Sequence, residues 1–102
     1  MTYEFHPDAL VELEQTAHYY GAREAGLDIR FIDSVEETVG RILEAPTRWR
    51  IIEDDVRRCL THVFPHGILY TIEQDHILIL AVMHCSRAPG YWRYRLGKTP
   101  NV

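Results

Sequence analysis

The residues best suited to chemistry lie in the second half of the chain. His84 can serve as a general base or acid, and Arg87 follows it by three residues. Arg58 can hold a phosphate group through paired hydrogen bonds, as can Arg87. Tyr91 can supply a proton as an acid. Cleavage of a phosphate diester without a metal needs a base, an acid and a cation for the developing charge, and these four residues provide candidates for each role.

Each candidate also has a structural explanation. His84 can simply end a strand. The Arg57–Arg58 pair can be surface charges that balance the acidic run Glu53–Asp55. Successive residues of a strand point to opposite faces, so at most one arginine of the pair faces a given site. We favour Arg58 for that position.

The run Pro89-Gly90-Tyr91-Trp92 combines a turn with two large aromatic side chains. Packing explains such a run better than chemistry does, because tyrosine and tryptophan bury large areas. Tyr91 and Trp92 can alternatively stack on a nucleic-acid base. For contact with a target, the candidate residues are Arg57, Arg58, Arg87, Trp92 and Arg93.

A metal site is the alternative that the histidines and cysteines suggest. Cys59, His62 and His66 have a loosely ligand-like spacing, and His84 and Cys85 follow. Cys59 and His62 are three apart on a predicted strand, however, and therefore face opposite sides. We predict no metal and no cofactor, and we expect Cys59 to pack as a small apolar group.

The charges divide the chain into two halves. The net charge is −4, with about −7 in residues 1–47 and about +3 in residues 48–102, and ten of the eleven basic residues are arginine. The overall sign argues against a general nucleic-acid binder. Two cysteines are too few for a disulfide framework, and the longest apolar run, 77–83, is too short to span a membrane. We predict a cytoplasmic protein.

The elements that must position these residues begin with two helices. Thr2 to Phe5 is predicted to be a short strand, and Pro7 suits the first position of a helix that Gly21 ends. That helix has one apolar stripe, made of Leu10, Leu13, Ala17 and Tyr20. A second helix is predicted from Leu27 to Pro46, and its apolar stripe is Phe31, Val35, Val39 and Ile42.

Three further strands are predicted after the helices: 56–64, 68–73 and 77–84, with turns at 65–67 and 74–75. The strand 77–84 is apolar on both faces and should be central and covered. The resulting order is β-α-α-β-β-β, an α+β fold with a small, mostly antiparallel sheet and a helical hairpin on one face. In such a sheet the ends that carry Arg58, His84 and Arg87 can converge on one concavity. We predict a single domain over 1–102 with a flexible tail at 97–102.

Read in this order, the sequence resembles the RelE/ParE toxin superfamily, and its ParE-like, plasmid-stabilisation branch most of all. The resemblance covers roughly residues 3 to 95 and combines several short stretches. These are Phe5-His6-Pro7-Asp8-Ala9, Glu12-Leu13, Tyr19-Tyr20, Val56-Arg57-Arg58, the run 64–70, and the run 81–92.

The resemblance implies the toxic half of a two-gene toxin–antitoxin module that a cognate antitoxin holds in check. One branch of the superfamily cleaves messenger RNA on the ribosome without a metal, and another poisons DNA gyrase. The RNA-cleaving members rely on lysines and arginines around their site, whereas this chain has a single lysine, Lys98. The lysine count therefore favours gyrase inhibition through protein binding, or a non-toxic relative that only binds its antitoxin, over RNA cleavage.

Two alternatives stay open at the level of sequence. The first is a ribosome-dependent, metal-independent mRNA endonuclease that uses His84, Arg87, Arg58 and Tyr91. The second is a non-toxic relative that only binds its antitoxin. We expect the antitoxin to cover the groove of the helical hairpin or to add a strand to an edge of the sheet, and a homodimer or a toxin–antitoxin hetero-oligomer is possible.

Overall fold

The computed structural model describes residues 1–97. Its elements are β1 (Thr2–Phe5), α1 (Pro7–Arg23), α2 (Leu27–Glu44), β2 (Arg50–Glu53), β3 (Val56–Leu60), β4 (His66–Ile72), β5 (His76–His84) and a short 3-10 helix, η1 (Arg93–Arg95). Neither α-helix of this range has an apolar stretch long enough to cross a bilayer. The predicted α+β class, with a helical hairpin on one face of a mostly antiparallel sheet, is confirmed. The predicted flexible tail lies outside the described residues, apart from Gly97.

The sheet has five strands in the order β1-β5-β4-β3-β2. β1 runs parallel to β5, and the other neighbours are antiparallel. β5 is therefore an inner strand, and its residues 77 to 83 are mostly buried on both faces, as its apolar sequence predicts. β1 and β2 form the two edges.

Several predicted boundaries are wrong. The sequence predicts four strands and misses β2, which is four residues long and pairs irregularly with β3. β3 ends at Leu60, and β4 begins inside the predicted turn at His66. α1 continues through Gly21 to Arg23, because a glycine inside a helix costs only about 1 kcal/mol, which tertiary packing can offset.

The two faces of the sheet are covered differently. α1 and α2 pack on one face, here called the helix face, and bury an apolar cluster that includes Phe31, Val35 and Ile79. Residues 91–96 cover the other face, here called the C-terminal face, where Leu80 and Trp92 are buried. Both layers bury apolar surface, which is the main favourable contribution to folding.

The predicted stripe of α1 is confirmed at three of its four positions. Ala17 is buried, and Leu13 and Tyr20 pack against the helix-face cluster. Leu10 is 42% exposed, and Ala9 is buried in the first turn instead. Glu12 also reaches the sheet, where it accepts a hydrogen bond from the backbone N–H of Val82.

Candidate functional site

The C-terminal face carries a groove that collects most of the predicted contact residues. The groove has a volume of about 250 Å³, and Arg58, Arg87, Trp92 and Arg93 line it. We call it the arginine groove. Its floor includes Met83, a buried residue of β5. Four of the five predicted target-contact residues therefore meet at one place.

Arg58 reaches this groove from β3, and the neighbouring strand makes room for it. Gly67 of β4 lies beside the Arg58 side chain, and a Cβ atom at Gly67 would stand 3.1 Å from two of the Arg58 side-chain carbons. A larger residue at position 67 would displace the arginine. A glycine in the interior of a strand often marks such a close approach.

Arg87 and Arg93 are held in different ways. The Arg87 guanidinium stacks on the Tyr91 ring, 3.9 Å from its centroid. Arg93 donates two hydrogen bonds to the carboxylate of Glu53, through Nε at 2.5 Å and Nη2 at 2.6 Å. These hydrogen bonds lower the pKa of Glu53. Gly90 has φ +76°, and a Cβ there would stand 2.2 Å from the Arg93 guanidinium, so the turn before Tyr91 requires glycine.

Arg57 lies on the opposite face from Arg58, as strand alternation predicts. Its Nη1 atom donates to the carbonyl oxygens of Thr47 and Trp49, at 3.0 and 2.8 Å. Arg57 therefore fixes the loop that leads into β2. The structure does not bring it to the arginine groove with the other four candidates.

Tyr91 is part of a buried polar network that crosses from α1 to the C-terminal segment. Its hydroxyl donates to Oε2 of Glu12 at 2.6 Å. Burial raises the pKa of Tyr91, and the hydrogen bond to Glu12 raises it further. A phenol that is held in this way is a poor proton donor at neutral pH.

Arg95 completes the network. It donates to both carboxylate oxygens of Glu12 at 3.0 Å and to the carbonyl oxygen of Leu80 at 2.9 Å. Glu12 also accepts a hydrogen bond from the backbone N–H of Val82 at 2.9 Å. Burial lowers the pKa of Arg95, but hydrogen bonds to Glu12 and Tyr94 outweigh it and the net pKa is raised. We call Glu12, Tyr91 and Arg95 the buried clamp.

His84 lies in a different groove, on the helix face. This second groove runs between α1 and the adjoining ends of β4 and β5 and has a volume of about 460 Å³. We call it the histidine groove. Its described lining is Gln15, Thr16, Tyr19, Tyr20, Arg23, His66 and His84.

The two histidines of this groove are cross-strand neighbours in β4 and β5. Their ring centroids are 5.0 Å apart. Nδ1 of His84 accepts a hydrogen bond from the backbone N–H of Ser86 at 3.0 Å. Burial lowers the pKa of His66 to about 4, and neighbouring His84 contributes to the shift, so His66 is neutral at physiological pH.

The expected convergence on one concavity is therefore only partly found. Arg58 and Arg87 line the arginine groove, His84 lines the histidine groove, and Tyr91 is engaged by the buried clamp. The residues with metal-like spacing are also apart in the structure. Cys59 is buried in the helix-face cluster, whereas His62 is exposed. Residues 1–97 contain no group of three or more histidine, cysteine or acidic side chains that could hold a metal.

Sequence reasoning missed three residues of these sites. Glu12 lies off the predicted apolar stripe, and Arg95 is one arginine among ten, so neither has a pattern that marks burial. His66 lies in a predicted turn. A Glu and an Arg that face each other across more than eighty residues leave no local sequence signal.

Comparison with known proteins decides the family. The model of the ParE toxin of the type II toxin–antitoxin system parDE matches residues 3–89. The chain belongs to the ParE toxin family. It is therefore a toxin of the type II toxin–antitoxin class, and the predicted ParE-like resemblance is confirmed.

A solved structure has the same fold as this ParE-family chain. It is described as a chromosomal ParDE toxin–antitoxin system from P. aeruginosa, with a TM-score of 0.71 and 15% sequence identity. The match covers 82% of this chain and 95% of the other. At this identity the similarity shows a shared fold. No curated protein sequence matches the chain.

Proposed function

We propose that this ParE-family toxin acts in the cytoplasm by binding a protein target, DNA gyrase, and that a cognate antitoxin neutralises it. The observation that carries this proposal is the separation of the predicted catalytic residues. Arg58 and Arg87 line the arginine groove, whereas His84 lines the histidine groove, whose arginine is Arg23, hydrogen-bonded to Tyr19. An RNA-cleaving site made of the predicted residues would need them around one phosphate.

The arginine groove has the composition of a protein contact site. Arginine is over-represented among residues that dominate binding energy at interfaces, and Arg58, Arg87 and Arg93 line the groove, whereas Trp92 is 2% exposed and packs in the apolar cluster beneath them. Arg87 is exposed and stands on an aromatic ring, which holds the guanidinium in place before a partner arrives. Preorganisation of this kind lowers the entropy cost of binding.

The antitoxin is the second protein partner of the proposal. The sheet offers two edges, at β1 and at β2, where an antitoxin segment can add a strand. The helical hairpin offers exposed apolar side chains at Leu10, Val11 and Ile29. We expect the antitoxin to use the hairpin or one of these edges.

The deciding experiment follows DNA and protein synthesis by pulse labelling after induced expression without the antitoxin. We expect DNA synthesis to fall first and purified toxin to inhibit supercoiling by gyrase. The double variant Arg58→Ala/Arg87→Ala should weaken this inhibition at least about tenfold, because two central contacts are lost. Arg48→Ala, an exposed arginine outside the arginine groove, is the matched control.

Other outcomes would contradict the proposal. An earlier fall in protein synthesis, with loss of potency by orders of magnitude in His84→Ala, would support the mRNA endonuclease instead. If neither synthesis falls, the chain is a non-toxic relative that binds its antitoxin.

A further inference from the structure

We propose that the histidine groove binds the carboxylate of an acidic side chain from a protein partner. The partner is the antitoxin of the proposed function, so the inference rests on that function for the identity of the ligand. The groove itself is defined by residues of this chain alone. Its composition indicates the chemistry of what fills it.

The first argument is an unsatisfied polar atom. His66 is 3% exposed, and its Nδ1 atom has no hydrogen-bond partner among residues 1–97. Buried polar groups nearly always have a hydrogen-bond partner, so an unpartnered one indicates a place where a ligand or an ordered water can bind. His66 lines the groove, so its unpartnered Nδ1, although itself buried, lies next to the space that a ligand would fill.

The second argument is the fixed orientation of His84. Because Nδ1 of His84 accepts from the Ser86 N–H, the neutral ring carries its proton on Nε2. His84 is exposed and thus offers a donor at the groove. His66 and His84 together place two imidazoles within 5.0 Å of each other.

The third argument is charge. Arg23 lines the same groove, and its guanidinium lies 5.3 Å from the Tyr19 ring centroid and donates to the Tyr19 hydroxyl at 3.0 Å. That contact uses one of the five N–H donors of arginine. The seven described residues of the lining include no carboxylate, so an anion would meet no like charge within the groove.

A protein carboxylate fits these surroundings better than a nucleic acid does. The first 47 residues form β1 and both helices beside the groove and carry about −7, which repels a polyanion much more strongly than a single acidic side chain. Val11 and Tyr19 are 45% and 55% exposed and lie eight residues apart, on one side of α1 with Gln15 between them. A segment with apolar residues around one acidic residue matches this stripe and the groove at its end.

The test is an NMR titration of the isolated toxin with ¹⁵N-labelled histidine. The probes are N-acetyl-glutamic acid amide, the matching glutamine derivative, inorganic phosphate and adenosine monophosphate. We expect the glutamic acid probe to shift the His66 and His84 ring signals saturably, and the glutamine probe to bind at least about tenfold more weakly, because charged hydrogen bonds are the stronger ones.

Variants assign the effect to the groove. His84→Ala and Arg23→Gln should each weaken binding of the glutamic acid probe about tenfold, and both residues are exposed, so the fold should tolerate them. His66→Phe keeps a ring against Phe31 and Tyr20 but removes the nitrogens. The matched control is His62→Gln, an exposed histidine outside the groove, which should bind the probe as the natural sequence does.

Two results would overturn the proposal: tighter binding of adenosine monophosphate or phosphate than of the glutamic acid probe, or no saturable shift with any carboxylate. Co-purification with the antitoxin is a separate test. If the toxin captures no antitoxin while the glutamic acid probe still binds, the proposed function fails and the carboxylate site stands.

Discussion

The two faces of the sheet differ in the interactions that stabilise them. On the helix face, twelve buried residues form one continuous cluster with two amphipathic helices. On the C-terminal face, six buried residues are covered by a segment that contains only a three-residue 3-10 helix. The buried clamp holds this segment in place. The helix face thus relies on a large apolar area, whereas the C-terminal face combines a smaller apolar cluster with a few polar contacts of defined geometry.

The largest loss of stability is expected from a substitution on the helix face. Phe31→Ala removes a fully buried ring between Tyr20, Phe64 and His66, and should cost about 4 kcal/mol of unfolding free energy through lost burial and the cavity left behind. Urea denaturation measures it. Phe31→Leu should recover most of the loss, and a small effect of Phe31→Ala would mean that the helix face does not carry the core.

Removal of a single carboxylate should destabilise the C-terminal face. Glu12→Ala leaves the Arg95 guanidinium, 4% exposed, without its buried counter-charge and frees the Tyr91 hydroxyl, at a cost of about 3 kcal/mol. Limited proteolysis of Glu12→Ala should show faster cleavage near residue 91 than in the natural sequence.

The double variant Glu12→Leu/Arg95→Met tests whether the loss in Glu12→Ala comes from the unpaired charge of Arg95. Replacing both charges with apolar groups should restore much of the stability, because a buried pair costs nearly as much in desolvation as it returns. A double variant no better than Glu12→Ala would indicate that the clamp acts through packing.

A smaller effect should appear with acid. The pKa of His66 is lowered to about 4 by burial and by His84, from 6.5 in the unfolded chain. The folded state therefore binds fewer protons at this residue, and the associated stability is fully present above about pH 6.5 and lost as pH falls toward 4. The expected loss is at most about 3 kcal/mol. His66→Phe should flatten this part of the pH profile relative to the natural sequence; parallel profiles would show that other groups are responsible.

The smallest effect is expected at the surface ion pair of the C-terminal face. Arg93 and Glu53 are hydrogen-bonded, with side chains 57% and 31% exposed to water, where ion pairs add little to stability. Arg93→Ala should leave the urea midpoint unchanged within error. A clear destabilisation would mean that this pair, and not the buried clamp alone, fastens the segment.

Much of the fold could be predicted from local pattern. The apolar stripe of α2 and Pro46 indicate the second helix, and the continuous apolar run of β5 indicates an inner strand. β2 was missed because four residues with an irregular register depend on pairing with β3 rather than on their own periodicity.

The candidate sites were less predictable because they depend on long-range geometry. The separation of His84 from Arg58 follows from the sheet face that each side chain takes, and the bulge near residues 69–70 alters this alternation along the β4–β5 pair. Apolar periodicity placed Leu13, Ala17 and Tyr20 correctly on the core side of α1. It could not mark Glu12, because a charged residue beside the stripe is normally exposed and its partners Tyr91 and Arg95 are distant in sequence.

The parallel pairing of the first strand with the last has a consequence for synthesis of the protein. β1 is made first but pairs with β5, so it has no neighbouring strand until residues 76–84 have left the ribosome. Glu12 likewise has no counter-charge until Arg95, eighty-three residues later, has been made. The helical hairpin has local contacts and can form early, whereas the pairing of β1 and the buried clamp must wait for β5 and η1. During this interval the nascent toxin is incomplete, and an antitoxin that is already present can bind it.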